Sequence, residues 1–341
     1  MNFKVVLSVL LLFTGFAQSL LDFSPNPRLV FDNYWTKLSC ATMTTIKNVA
    51  VVGGSGNVGK PIVAGLLAAG FNVTALTRES SSSTFPDGVK VKKVDYESVD
   101  SIKEALQGQD AVVSAAATIA VGKQYPIVDA AVAAGVKRFI PSEFGINTRT
   151  VSSQGLKTIL QGKIKALDYI IEKSKANPDF TWSGVTTGLF FDWGLRTSGL
   201  GFNKDTKSVG IVDSGNTPYF ASNLPFIGKA VAAILANPDK TANQYLSVAS
   251  FTVSQNKLLK IVEEESGAKW TTKPVKSPDL VKAGDEKLSK GDFSAFRDFL
   301  QAYLFADGGD STKGVELANG LLGLQEEDPR PTIKAFLEGK L

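Results

Sequence analysis

From Ile46 onward, the chain alternates between short apolar runs and longer segments with helical spacing of apolar residues. The apolar runs are nearly continuous, which is typical of parallel strands buried on both faces. We predict strands at residues 49–52, 72–76, 90–94, 110–115 and 138–140, and helices at residues 58–69, 99–106 and 125–134. Strands that alternate with helices predict an α/β fold with a Rossmann-type, doubly wound parallel sheet.

The regularity continues through a predicted long helix at 156–175 and a strand at 180–187, and weakens afterwards. Residues 196–220 are rich in Gly, Ser, Asn and Lys, so we predict a loop near a site there. Further helices are predicted at residues 224–235, 255–265 and 293–305. We therefore expect a nucleotide-binding domain at 43–187 and a smaller C-terminal substrate-binding lobe at 188–341, partly interleaved with it.

A glycine-rich turn separates the first predicted strand from the first predicted helix. It has the GxGxxG pattern of dinucleotide-binding turns in the required strand–turn–helix context. In this pattern the first glycine, Gly54, permits the tight turn, the second, Gly56, allows close approach of a pyrophosphate, and the third, Gly59, packs the helix. The alternative is a glycine-rich turn without a ligand. The residues expected to contact the cofactor here are Gly53, Gly54, Ser55, Gly56, Asn57, Val58 and Gly59.

The end of the second predicted strand bears on the choice of cofactor. NAD enzymes usually place an acidic residue there to bind the ribose 2′-hydroxyl. Here the strand ends in Leu76, Thr77 and Arg78. A guanidinium group matches a 2′-phosphate, so Arg78 favours NADPH/NADP+. The sequence leaves two alternatives open: Glu79 could bind ribose if the strand ran one residue longer, and Arg78 could be a solvated loop residue.

Composition excludes several kinds of chemistry. The chain has 341 residues, a formal net charge of +4, one cysteine and no histidine. A mechanism that needs an imidazole is therefore excluded, as are an intrachain disulfide and a histidine-ligated metal, and we expect no metal site. A general acid or base must be Lys, Tyr, Asp, Glu or the single cysteine, Cys40. The basic residues form no long run, so we expect no nucleic-acid partner.

Residues 1–42 allow two interpretations. Residues 1–17 have the basic start, short apolar run and small residues of a secretory signal, and the run is too short to span a membrane. Alternatively, Met43 lies just before the first strand and is a natural start for a cytoplasmic protein. In that case residues 1–42 are an upstream stretch wrongly included in the coding sequence. We favour the cytoplasmic form, with a secreted form as the alternative.

The glycine turn, Arg78 and the segment from Arg138 to Gly145 together resemble a known family. That segment reads Arg-Phe-Ile-Pro-Ser-Glu-Phe-Gly, and residues 132–139 read Val-Ala-Ala-Gly-Val-Lys-Arg-Phe. Over about residues 46–270 the chain resembles the NmrA-like group of atypical short-chain dehydrogenases, and within it the isoflavone reductase-like proteins. The resemblance implies an NADPH-dependent reductase of a small, often aromatic, metabolite. The group also includes non-catalytic nucleotide-binding redox sensors, which is our alternative hypothesis.

The resemblance also implies particular site residues. It implies a catalytic lysine on the helix after Pro-Ser-Glu-Phe-Gly, and Lys163 matches that position, where it would also contact the cofactor. Further cofactor contacts are implied at Ser114, Ala115, Ser142 and Phe144. The chain departs from the group's usual pattern because Asn147 stands where an acidic residue is common and no histidine is present.

Helical geometry separates Lys163 from a decoy on the same helix. Tyr169 and Lys173 have the YxxxK spacing of ordinary short-chain dehydrogenases. At about 100° per residue, Leu160, Ile164, Leu167 and Ile171 form one apolar stripe, with Lys163 on its edge and the YxxxK pair facing solvent. We expect Lys163 to lose solvation and its pKa to fall. The alternative is a surface lysine whose stem lies along the core edge.

Two smaller expectations concern Asp95 and the partners of the chain. Asp95 follows the third strand, where it could touch adenine or cap the next helix, and we favour the cap. We expect a small-molecule substrate and no membrane partner. The sequence does not establish the oligomeric state, so a homodimer is one open alternative.

Overall fold

The computed structural model describes residues 45–341, apart from Ile119, Asp310 and the side chain of Lys123. The signal-like segment, Cys40 and Met43 lie outside the described residues. In the described part, none of the helices is long and apolar enough to cross a bilayer.

The described residues form thirteen strands, most of them short. In chain order they are β1 (Asn48–Val52), β2 (Asn72–Arg78), β3 (Lys90–Val94), β4 (Ala111–Ser114), β5 (Arg138–Ile140), β6 (Thr181–Thr186), β7 (Leu189–Phe190), β8 (Phe202–Asn203), β9 (Ser208–Val212), β10 (Tyr219–Ser222), β11 (Gln244–Ser247), β12 (Phe251–Val253) and β13 (Thr271–Val275).

Twelve α-helices lie between and after these strands in the same part of the chain, and a 3₁₀ turn at Val121–Lys123 precedes the third of them. In chain order they are α1 (Gly59–Ala68), α2 (Val99–Ala105), α3 (Tyr125–Ala133), α4 (Gln154–Ala176), α5 (Phe191–Arg196), α6 (Leu224–Ala236), α7 (Pro238–Thr241), α8 (Gln255–Ser266), α9 (Ser277–Ser289), α10 (Ala295–Phe305), α11 (Asn319–Leu322) and α12 (Arg330–Leu337).

Seven strands form the main sheet, in the order β3-β2-β1-β4-β5-β6-β11, and every neighbouring pair is parallel. The predicted doubly wound α/β fold is therefore confirmed. The order reverses between β1 and β4, and sheets of this kind bind ligands in the crevice outside the carboxyl ends of the strands at that point. The glycine turn after β1 lies at this crevice.

Three apolar clusters hold the described chain together. One face of the sheet packs against α1 and α6, through residues such as Ile62, Leu66 and Ile227. The other face packs against α2, α3 and α4, through residues such as Ile102 and Val128. The third cluster lies among the C-terminal elements, which include two three-stranded sheets, β12-β10-β7 and β13-β9-β8.

Helix α4 joins two of these clusters. Leu156 and Leu160, in its first half, belong to the C-terminal cluster, while Leu167 and Ile170, in its second half, belong to the cluster beneath the sheet. Ser153 caps the helix, since its hydroxyl accepts a hydrogen bond from the backbone N–H of Leu156. Lys163 lies between these two pairs of residues, where the two clusters meet.

Arg138, the first residue of β5, is buried and ties distant segments to the sheet. Its guanidinium donates hydrogen bonds to the hydroxyls of Thr181, Ser183 and Thr241 and, at 2.6 Å, to the carbonyl oxygen of Pro238. Burial lowers the pKa of Arg138 to about 10, and the nearby charge of Asp239 partly offsets the effect. These bonds fasten the short helix α7 against β5 and β6, just before the chain enters β11.

Most predicted elements up to residue 187 are confirmed, with ends that differ by one or two residues. The prediction of a loop at 196–220 is wrong, because β8, β9 and the start of β10 lie within it. These strands are two to five residues long and alternate with polar turns, so their composition resembles that of a loop. Helix α9 was also not predicted.

The prediction that Asp95 caps the next helix is wrong as well. The cap of α2 is Ser98, whose hydroxyl accepts from the backbone N–H of Ser101. The Asp95 carboxylate instead accepts a hydrogen bond from the backbone N–H of Glu97, two residues further on. It therefore stabilises the turn that leads into the helix.

Candidate active site

Within the described residues, the backbone N–H groups of Ser55, Asn57 and Val58 in the glycine turn make no hydrogen bond, whereas that of Gly56 donates to the carbonyl oxygen of Gly53 at 3.0 Å. Helix α1 begins at Gly59, and its N-cap residue, Val58, has no polar side-chain group to cap the first turn. The first turn also carries no acidic residue. A helix start with free N–H groups and a positive dipole end is suited to bind a phosphate. The turn therefore fits the pyrophosphate of a dinucleotide.

The structure changes the roles expected of individual glycines. The left-handed residue of the turn is Gly53, with φ +73°, whereas the sequence pattern assigned the turn to Gly54. A Cβ on Gly53 would lie 2.7 Å from the carbonyl oxygen of Ala115, in the segment after β4. A Cβ on Gly59 would collide with the carbonyl oxygen of Gly53, so Gly59 lets the helix start press against the turn.

Arg78 is the last residue of β2, and Glu79 lies beyond the strand. The Arg78 side chain is exposed, and the guanidinium makes no hydrogen bond or ion pair within the described part of the chain. It lies on the strand next to β1, whose end carries the glycine turn. An unpaired guanidinium in this place fits the 2′-phosphate of NADPH. Because β2 ends at Arg78, the alternative in which Glu79 ends the strand and binds the ribose is disfavoured.

A serine-rich loop at residues 79–84 follows Arg78 and is held by Lys93 of β3. The Lys93 ammonium group donates hydrogen bonds to the backbone carbonyl oxygens of Glu79, at 3.1 Å, and of Ser81. Further along, the ring of Phe85 lies 3.2 Å from a Cβ placed on Gly54, so the chain folds back onto the glycine turn. Arg78 therefore lies between the turn and a loop with a fixed backbone.

A cavity of about 770 Å³ runs from the glycine turn into the C-terminal elements. Its lining residues include nine of the predicted site residues and a largely apolar outer wall. The predicted residues in the lining are Gly53, Ser55, Gly56, Asn57, Val58, Ala115, Ser142, Phe144 and Lys163. The outer wall includes Ile146, Leu160, Leu189, Phe190, Trp193, Phe293, Phe296, Arg297, Leu300, Gln301 and Phe305.

Four predicted site residues lie outside this lining. They are Gly54, Gly59, Arg78 and Ser114. Gly54 and Gly59 shape the turn from behind, and Arg78 lies at the strand end described above. The Ser114 hydroxyl is fully buried and has no hydrogen-bond partner in the described residues, so the structure offers no geometry for a contact between it and a cofactor.

Lys163 is buried inside the protein, not on the edge of an apolar stripe. Its residue is 7% exposed, and its ammonium nitrogen lies 3.4 Å from the carbonyl oxygen of Phe144. The buried face of α4 includes Leu160, Lys163, Leu167 and Ile170. The predicted apolar stripe, which contained Ile164 and Ile171 instead of Lys163 and Ile170, was therefore rotated by about one residue from the face that is buried. Burial lowers the pKa of Lys163, while the nearby charge of Glu143 opposes this.

Glu143 is the polar neighbour that the sequence reasoning did not select. It is 1% exposed, and its carboxylate accepts hydrogen bonds from the hydroxyls of Thr148, at 2.5 Å, and Tyr245, at 2.8 Å. Burial is the main cause that raises the pKa of Tyr245, so this phenol stays a donor. The three side chains form a closed network beside Lys163, and Glu143 was visible in the motif between Ser142 and Phe144.

The YxxxK pair lies away from the cavity, as its helical position predicted, but it is not simply solvent-facing. The Tyr169 hydroxyl donates to Asp129 of α3 at 2.6 Å, and the Lys173 ammonium group lies 2.7 Å from the same carboxylate. The side-chain hydrogen bond to Asp129 is the main cause that raises the pKa of Lys173. This pair fastens α4 to α3 and is absent from the lining of the cavity.

Ser142 has a structural partner of its own. Its hydroxyl donates to the carbonyl oxygen of Ala116 at 2.8 Å, which ties the segment after β5 to the segment after β4. Both segments line the cavity. The outer wall from α5 and α10 was not predicted residue by residue, because apolar side chains on a short helix give no sign in sequence of facing a cavity.

Comparison with known proteins identifies relatives along most of the chain. A family model described as the NmrA-like family matches residues 45–290. Oxidoreductase aprR of Aspergillus flavus is 35% identical over 301 residues, which cover 86% of this chain and 100% of that protein. Oxidoreductase poxI of Penicillium oxalicum is 34% identical over 255 residues, covering 74% of this chain and 81% of that protein.

A solved structure shares the fold at low sequence identity. The binary complex of leucoanthocyanidin reductase with NADPH, from Vitis vinifera, superposes with a TM-score of 0.73 at 17% identity. The match covers 85% of this chain and 99% of that one. At this identity the likeness shows a common fold. The resemblance first noticed in the glycine turn and the Pro-Ser-Glu-Phe-Gly segment is confirmed by the family match.

Proposed function

Because this chain belongs to the NmrA-like family, we propose that it is an oxidoreductase that uses NADPH to reduce a small aromatic metabolite. The observation that carries the proposal is the position of Lys163, a buried ammonium group in the same cavity as the glycine turn. The relatives aprR and poxI are both named oxidoreductases, and the leucoanthocyanidin reductase structure holds NADPH. Both facts support the proposal.

The residues at the carboxyl edge of the sheet fit a dinucleotide. The turn from Gly53 to Val58 would hold the pyrophosphate on free N–H groups, and Arg78 would bind the 2′-phosphate. Ala115 and Phe144 would line the path toward the reacting end. When bound, NADPH supplies a hydride for the reduction.

Lys163 would supply the proton. A lysine with a lowered pKa gives up its proton more readily than an exposed one, and an acid works best when its pKa is near the working pH. The surrounding apolar side chains exclude water, so the proton passes from the Lys163 nitrogen to a substrate atom that gains negative charge during reduction. The network of Glu143, Tyr245 and Thr148 would hold a negative charge nearby and keep Lys163 protonated until then.

The outer wall of the cavity supports an aromatic substrate. Phe190, Trp193, Phe296 and Leu300 offer flat or broad apolar surface, and such walls bind rings by burial and edge contacts.

Calorimetric titration of the full-length protein with NADPH, NADP+, NADH and NAD+ tests the proposal. We expect tight binding of NADPH and weak binding of NADH, followed by turnover in a screen of aromatic carbonyl and alkene compounds. A preference for oxidised nucleotides without discrimination by the 2′-phosphate would overturn the proposal and favour a non-catalytic redox sensor.

A further inference from the structure

The charged side chains that line the cavity, among the described residues, are all positive. Among the lining residues that the structure describes there are two cations, Lys163 and Arg297, and no carboxylate. Lys163 lies at depth between two apolar clusters, whereas Arg297 is exposed. A cleft lined by charge of one sign, with apolar walls, concentrates ligands of the opposite sign. The glycine turn would bind the phosphates of a dinucleotide, which leaves Arg297, in the outer wall, available for a different anion.

Arg297 has no partner in the described part of the protein, although acidic residues lie close to it in sequence. Asp298 binds Lys287 at 2.6 Å, and Asp292 accepts from the backbone N–H and the hydroxyl of Ser294. By contrast, Arg138, Arg149 and Arg330 each donate side-chain hydrogen bonds. The guanidinium of Arg297 therefore keeps its full donor set for a ligand.

Helix α10 presents Arg297 to the cavity beside an apolar row. Phe296 and Leu300 are four residues apart, as are Arg297 and Gln301, and all four line the cavity. Residues four apart lie one above the other on a helix, so the wall has an apolar row and a polar row side by side. Gln301 fixes this face, because its side-chain amide donates to the carbonyl oxygen of Gly199 at 2.8 Å.

On the basis of the proposed function, we infer that the substrate is an aromatic carboxylate, whose acid group binds Arg297 while its ring packs against Trp193, Phe296 and Leu300. A planar guanidinium matches a carboxylate with two parallel hydrogen bonds, which a neutral ester cannot accept as strongly. Arg297 selects the substrate at the exposed end of the cavity, and Lys163 acts at the buried end. The two cations then have separate tasks.

A binding experiment tests this inference without turnover. The full-length protein, saturated with NADP+, is titrated with cinnamate, 2-naphthoate and 4-hydroxycinnamate and with the methyl ester of each, and quenching of tryptophan fluorescence is followed. We expect each acid that binds to do so about tenfold or more tightly than its ester, since a hydrogen bond to a charged group is worth roughly a factor of ten. Arg297→Gln removes that preference, and Arg297→Lys restores part of it.

Arg196→Gln is the matched control. Arg196 is also exposed and makes no side-chain hydrogen bond within the described residues, but it is not among the lining residues. Its removal should leave the preference for acids intact. Equal binding of acids and esters, no binding of any acid at millimolar concentration, or an unchanged preference in Arg297→Gln would each overturn the inference. Failure of NADP+ itself to bind, measured first, would instead overturn the proposed function.

Discussion

The ammonium nitrogen of Lys163 lies 3.4 Å from the backbone carbonyl oxygen of Phe144, which joins helix α4 to the segment after β5. In the described residues this is the one hydrogen bond of the Lys163 side chain, and a single acceptor compensates a buried charge only in part. A protonated Lys163 in this position lowers the stability of the fold, because burial disfavours its charge. Under the proposed function, a substrate that enters the cavity would meet a proton donor that is already oriented and poorly solvated.

Replacing Lys163 by methionine should remove turnover and leave nucleotide binding nearly intact. The side chain keeps its volume but loses the proton, and loss of a general acid typically costs about 10²–10⁴ in kcat. Steady-state kinetics and calorimetry with NADPH measure the two effects. Lys165→Met is the control, because Lys165 is exposed on the same helix. Full activity in Lys163→Met would contradict the assignment.

The same substitution should change how stability depends on pH. Burial lowers the pKa of Lys163 in the folded state below the 10.5 of an ordinary lysine. Below the lowered pKa both states are protonated, and the folded state bears the full cost of the buried charge. Between that pKa and 10.5 the unfolded state holds more protons, so the stability of the wild type rises with pH through this window. Lys163→Met should therefore be the more stable protein at neutral pH, with an advantage that shrinks toward pH 10.5. Urea unfolding at a series of pH values measures this, and a constant difference would contradict it.

Substitution of Arg78 by alanine should weaken NADPH binding and spare NADH binding. The exposed guanidinium is expected to bind the 2′-phosphate, and such charged hydrogen bonds are worth about 1.5–3 kcal/mol, or roughly 10-fold to 150-fold in affinity. The loss should become smaller as salt concentration rises. Calorimetry with both nucleotides at two salt concentrations measures these affinities. An equal loss of affinity for NADH would mean that Arg78 does not bind the 2′-phosphate.

Lys93→Met should act on the same phosphate through the loop that Lys93 holds. Without its bonds to the carbonyl oxygens of Glu79 and Ser81, residues 79–84 should exchange amide protons faster and NADPH affinity should fall by a few-fold. Lys90→Met is the control, since Lys90 is exposed on the same strand and makes no side-chain hydrogen bond in the described residues. Hydrogen exchange unchanged in the loop would argue against this role.

A methyl group on Gly53 should cost more than one on Gly70. Both glycines have positive φ, +73° and +81°, so alanine is strained at each by roughly 1 kcal/mol. At Gly53 the new Cβ would also lie 2.7 Å from the carbonyl oxygen of Ala115, while nothing lies within 4 Å at Gly70. Thermal unfolding and NADPH titration of the two variants compare the effects. Nucleotide binding should be lost in Gly53→Ala and retained in Gly70→Ala.

The parts of the fold that could be predicted from sequence are those whose signal is local. A continuous apolar run, a glycine turn and a helix-spaced segment predicted β1, α1 and β2, and Arg78 at the strand end was placed correctly. The burial of Lys163 was not visible in the same way. It depends on two apolar clusters meeting at α4, one of which is built from residues far along the chain, such as Phe299 and Phe336.

The substrate side of the cavity was less predictable for the same reason. Arg297, Gln301 and Trp193 are joined to Lys163 only by tertiary packing, and the two-residue strands around them carry no clear period. The Pro-Ser-Glu-Phe-Gly segment, in contrast, was selected by its resemblance to a family. Its most consequential acid, Glu143, was passed over because nothing in a single sequence indicates that Tyr245 and Thr148 meet it.

The return of β11 to the main sheet limits how this enzyme could be recombined with its relatives. The chain leaves the sheet after Thr186, contributes residues from Gly188 to Gly199 to the cavity wall and comes back at Gln244 to pair with β6, while Arg138 donates hydrogen bonds to Thr241 and Pro238 in this connection. A chimera joined once, at the end of β6, would replace β11, the edge strand that pairs with β6, and leave Arg138 buried with fewer acceptors. Transfer of substrate specificity from one family member to another should therefore require a chimera with two crossover points, or substitutions confined to α10.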